Sequence, residues 1–192
     1  PEATLDHARV HECGGLSRHT FALLLAQKSG ATKNAPIVWI SLSHIRHHLN
    51  PQGMQPFVSP ENFLFVTAKR PEDALWSMEE ALRSPAPHLV VADIDMLPQL
   101  TPVRRLHLAA EQGHTTGLLL TPATNGMTGG AQGVETRWHM TPNHQPHDRG
   151  WILARTRART AIPKQWQITY TASGEIAPIA TDQNDTQTSA IN

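Results

Sequence analysis

The sequence contains one cysteine, one tyrosine and 5% aromatic residues, and its 16 basic side chains are balanced by 16 acidic ones. A lone Cys13 excludes an internal disulfide. No signal peptide and no apolar run of transmembrane length can be read in the chain, so a cytoplasmic location without a membrane partner is expected. The charge balance removes any global electrostatic case for binding nucleic acid or lipid; such a surface would have to be local. A length of 192 residues is ample for one domain with a real core.

The next absence is more specific. Arg9-Val10-His11-Glu12-Cys13 reads as a strand, Gly14-Gly15 as a turn, and Thr20 to Ala26 as an apolar helix. This is the layout of a phosphate-binding loop in the first βα unit of a nucleotide-binding sheet. Such a loop needs G-x-x-x-x-G-K-S/T, in which backbone amides cradle the phosphates, lysine neutralises charge and the hydroxyl holds magnesium. Here Leu16-Ser17-Arg18-His19-Thr20 follows the glycines, and the lysine is missing. Gly14, Gly15, Arg18 and Thr20 are the candidate cofactor-binding positions of a degenerate loop.

Apolar runs then alternate with helical patterns, which predicts an α/β fold built on a mainly parallel sheet. Strands are expected at Pro36–Ser41, Asn62–Thr67, His88–Asp93 and Thr115–Pro122. Pro71–Arg83 has proline and acids in its first turn and Ala74, Leu75, Met78, Ala81 and Leu82 on one face, the marks of a packing helix. A further helix runs from Thr101 to Gly113. Beyond a glycine-rich loop at Gly126–Gly133, the segments Glu135–Thr141, Trp151–Thr160 and Gln165–Thr171 alternate like antiparallel strands. Residues 173–192 contain no lysine or arginine and few large apolar side chains, which predicts a disordered tail.

These residues resemble the ImuA family of RecA-like proteins, which accompany bacterial error-prone polymerases in damage-induced mutagenesis. The resemblance is carried by His11-Glu12, by Lys69-Arg70-Pro71-Glu72-Asp73-Ala74-Leu75-Trp76 with Glu79–Arg83, by Arg104-Arg105-Leu106 through Glu111, and by Thr115–Leu120. Thr136-Arg137-Trp138 and Ala154–Arg157 extend it toward residue 170. It implies a RecA-like domain over residues 1–172 that lacks a functional phosphate-loop lysine. It also implies a role in SOS-induced translesion synthesis, with the Y-family-like ImuB partner, a DnaE-type polymerase and RecA as partners. Where a recombinase carries its catalytic glutamate, this chain reads Ser41-Leu42-Ser43-His44. No catalytic residue and no cofactor are therefore expected, and ATP with magnesium is the alternative. A cell-division inhibitor of the SulA kind and a weak ATPase using Arg18 are the other readings.

Three constellations bear on chemistry. Asp93, two residues before Asp95 at a strand end, is the candidate metal ligand, although acids also cap such turns. His44, His47 and His48, and His139, His144, His147 and Asp148, are candidate zinc ligands without a recognised spacing. Arg155, Arg157 and Arg159 alternate along one strand and would share a face, with Trp151 and Trp166 bracketing them. Guanidinium groups pair with phosphate and rings stack on unpaired bases, so this strand is the candidate surface for an acidic partner or single-stranded DNA. The plain alternative is an edge strand protected by its charge.

Overall fold

A computed structural model describes residues 4–45, 48–122, 129–146, 149–170 and 176–180. In chain order the elements are β1 (Val10–Gly14), α1 (Arg18–Ser29), β2 (Ile37–Leu42), α2 (Pro51–Met54), β3 (Phe63–Ala68), α3 (Pro71–Arg83), β4 (Leu89–Asp93), α4 (Leu100–Gly113) and β5 (Thr116–Leu120). Four strands follow: β6 (Thr136–Pro142), β7 (Arg149–Ala158), β8 (Lys164–Tyr170) and β9 (Ile176–Ala180).

The strands form one nine-stranded sheet in the order β3-β2-β4-β5-β1-β6-β7-β8-β9. Every pair from β3 to β6 is parallel, and β6 through β9 pair antiparallel. This is the expected α/β architecture, with a parallel body extended by antiparallel strands. Side chains alternate across it. Val38 and Ile40 join Val10, Val90 and Leu119 in a core roofed by α3 and α4, whereas Ile37 and Trp39 join Val91, Leu118 and Leu120 on the α1 face. Each fully buried side chain such as Met78 or Leu82 contributes about 1.5–3 kcal/mol of transfer free energy.

Helix α3 begins and ends where the sequence predicts, with Pro71 in its first turn and Arg83 in its last. Its buried Glu79 is ion-paired to Arg83 and, at 2.7 Å, to Arg105 of α4, which ties the two helices together. On the α1 face Trp138 stacks on Phe21 and meets Trp166 at a tilt, with both centroid spacings 5.6 Å. Strand β9 lies inside the stretch expected to be a disordered tail, and that expectation fails for Ile176–Ala180, whose backbone continues the ladder from β8. Pro178 is compatible with strand structure there because β9 is an edge. Residues 181–192 lie outside the described residues.

Candidate functional site

In an open parallel sheet, ligands bind beyond the carboxyl ends of the strands. At that end Ser41 of β2 is in register with Thr67 of β3 and Asp93 of β4, and the β1–α1 turn stands beside them.

The turn is short and closed. Gly15, Leu16 and Ser17 are all that links β1 to α1. Gly15 has φ +96°, and a Cβ built on it would come within 2.3 Å of the Met140 carbonyl oxygen. Only glycine fits so near a neighbouring backbone. The Ser17 amide donates to that same carbonyl at 3.0 Å, and the Arg18 amide donates to the Gly15 carbonyl at 3.3 Å. Two of the amides that would cradle a phosphate, those of Ser17 and Arg18, are thus engaged by the protein's own carbonyls. Gly14 ends its strand beside His139 of β6.

Arg18 and His19 turn toward Asp93. His19 Nε2 lies 2.7 Å from Asp93 Oδ2, and Arg18 Nε lies 3.6 Å from Oδ1. The Asp93 side chain is 2% exposed, so its carboxylate is closed to a hydrated cation. Asp95 is half-exposed and pairs with His44 at 2.7 Å, so the two acids face different surroundings. The His19 ring borders a depression of about 340 Å³ with Trp39, Ser41, His48 and Thr67. Thr20 instead lines an adjoining hollow of about 230 Å³ with Leu23, Leu49, Arg149, Trp151 and Tyr170. The four loop positions therefore divide among a closed turn, an ion pair and a neighbouring hollow that shares Leu49 and Asn50 with the His19 depression.

A second polar network lies at the carboxyl end of β1. Glu12, 2% exposed, accepts from Thr121 Oγ1 at 2.9 Å, from the Ala131 amide at 3.0 Å and from Arg137 Nε at 2.8 Å. Arg137 also donates to the Ala131 carbonyl at 2.9 Å, so the pair clamps the end of the glycine-rich loop. On the α1 face His11 is fully buried between Thr136 Oγ1 at 2.6 Å and the Asp6 carbonyl at 2.9 Å, and burial pushes its pKa down to about 4. Burial also raises the Cys13 thiol well above its usual range, which leaves it an inert core side chain.

The arginine strand requires correction. β7 lies between β6 and β8 and is not an edge. Its register against β6 shifts between Arg137 and Trp138, so Arg157 faces Arg137 while Arg155 faces Trp138. The extra residue is Thr156, and a bulge of this kind breaks the alternation that would have put the three arginines on one face. Arg155 lies over the Trp138 and Trp166 rings at 5.7 and 5.5 Å and donates to the Ile162 carbonyl at 3.0 Å. Arg159 sits on the α4 side, 3.8 Å from Glu135. Trp151 and Trp166 are 6% and 2% exposed, which removes both as platforms for unpaired bases. What remains outside is Arg157 and, bordering a groove of about 390 Å³, Arg9, Arg104 and Arg159 with the exposed Leu108 and the acids Glu111 and Glu135.

Among the described residues no three His, Cys, Asp or Glu side chains come together in a way that could hold a metal ion. His144 accepts from the Gly150 amide at 3.2 Å and meets Trp151 edge-on. His47, His147 and Asp148 lie outside the described residues, as do residues 126–128 of the glycine-rich loop. No helix among the described residues is long and apolar enough to cross a membrane.

No protein-family model matches the chain, and no curated protein matches it. Among solved structures, that of SulA from Pseudomonas aeruginosa is similar at 24% identity, covering 59% of this chain and 98% of that one with a TM-score of 0.48.

Proposed function

We propose that this chain is a non-catalytic accessory protein of SOS-induced translesion synthesis, a RecA-like domain that works in the cytoplasm by contact with other proteins rather than by turning over nucleotide. The observation that carries the reading is the closed β1–α1 turn: the Ser17 and Arg18 amides are bonded to carbonyls, and Arg18 and His19 cover Asp93. A phosphate would have to displace protein hydrogen bonds that nothing at the site replaces. The resemblance to the ImuA family suggests the partners: a Y-family-like ImuB protein, a DnaE-type polymerase and RecA. The groove bordered by Arg9, Arg104, Arg159 and Leu108 offers such a partner an apolar side chain among mixed charges, with Arg9 and Arg159 paired to Glu111 and Glu135 and Arg104 beside them.

Gel filtration of the purified chain with each purified partner tests this, alongside an ATP hydrolysis assay. Co-elution with at least one partner and no turnover above the blank are expected. Magnesium-dependent turnover abolished by Asp93→Ala, or failure to bind any of the three, would overturn it.

A further inference from the structure

The two edges of the sheet are built differently. β9 carries a proline, which blunts strand addition. β3, at the opposite edge, reads Phe63-Leu64-Phe65-Val66-Thr67-Ala68 without a charge, proline or glycine, and its register with β2 runs unbroken from Ile37–Phe63 to Leu42–Ala68. Leu64 and Phe65 are each 54% exposed, on opposite faces of the strand, and Phe65 stacks on Phe63 at 5.6 Å. Such an edge is a template for another strand.

Its sequence is complementary to itself. When β3 pairs antiparallel with a second β3 about a two-fold axis normal to the sheet, residues on one face meet residues on the same face. Centred on Phe65, that pairing sets Phe65 against Phe65, Leu64 against Val66 and Phe63 against Thr67, which covers both exposed side chains. The same register brings Glu61, in the 3-10 turn Pro60–Asn62 that leads into the strand, to the end where Lys69 leaves the partner strand, at both ends of the pair. Centring on residue 64 or 66 instead sets Lys69 toward Ser59 or Phe63 and away from the Glu61 turn. In the single chain Glu61 pairs with the exposed Lys33 at 2.8 Å.

We propose that β3 is a homodimer interface, with a second copy of this chain as its occupant, in the antiparallel register centred on Phe65 and fixed by the Glu61–Lys69 pairs. The dimer joins two nine-stranded sheets into one. Because edge-strand pairing covers little area, it is a weak, micromolar dimer. The proposal stands apart from the functional reading above, since neither polymerase contact nor nucleotide enters it.

Sedimentation velocity from about 1 to 500 micromolar tests it with the full chain, with circular dichroism to confirm folding. The wild type should dimerise reversibly. Phe65→Lys, which sets like charges face to face on the axis, should leave a monomer. Glu61→Lys and Lys69→Glu should each weaken dimerisation roughly tenfold at low salt, and the double variant should restore it, because the reversed charges pair again. A wild type that is monomeric throughout, a dimer indifferent to Phe65→Lys, or a double variant no tighter than the singles would each overturn the proposal.

Discussion

Replacing Glu12 with leucine should be among the most damaging single changes this fold can receive. The carboxylate is 2% exposed and is the acceptor for Arg137 Nε, whose side chain is 16% exposed. Its loss strands a guanidinium in a low-dielectric setting, at about 3–5 kcal/mol. That figure includes the Ala131 amide, whose unmet hydrogen bond alone costs about 1–3 kcal/mol. Against a domain stability of about 5–15 kcal/mol, the variant sits near the edge of folding. Arg137→Met alone should cost less, because Glu12 keeps Thr121 Oγ1 and the Ala131 amide. Combining the two removes both charges, so the double variant should be more stable than the sum of the singles by at least about 2 kcal/mol. Urea unfolding followed by tryptophan fluorescence, with a shared m-value, reads all four corners of the cycle. Additivity within about 0.5 kcal/mol would refute a buried, coupled pair.

Gly15→Ala should destabilise by at least about 2 kcal/mol, because alanine must hold φ +96° while its Cβ presses on the Met140 carbonyl; a loss under half that in the urea midpoint would mean the turn is not closed. His11 titrates near its ordinary 6.5 in the unfolded chain and at about 4 when folded, so the unfolded state binds the extra proton first. Stability should therefore be intact above pH 6.5 and fall by about 3 kcal/mol as pH drops to 4, a slope that His11→Asn should reduce in urea midpoints measured across that window. Arg155→Ala should cost about 1 kcal/mol through its lost ring contacts, while the exposed Arg157→Ala stays within about 0.5 kcal/mol; equal effects would deny the bulge between them.

Much of the fold was legible in the sequence because its signals are local. Pro71 and the early acids mark the start of α3, and apolar runs ending in Asp93 or at Pro122 mark buried strands. The candidate site was less legible because its partners are remote in sequence. Asp93 meets His19 across 74 positions, and Glu12 meets Arg137 across 125. An acid inside a strand whose flanking positions are buried is the one hint that Glu12 needed a buried partner. The arginine strand misled for a related reason: period-two alternation holds only while the ladder is regular, and a bulge depends on the neighbouring strand as well. Trp151 and Trp166 look exposed beside arginines, yet they close the α1 face of the antiparallel strands.

Titration with a fluorescent ATP analogue, with and without magnesium, tests the central claim most directly. A closed turn over a covered Asp93 predicts no saturable binding in the wild type up to millimolar analogue. Saturable, magnesium-enhanced binding that unlabelled ATP displaces and Arg18→Ala abolishes would contradict the account.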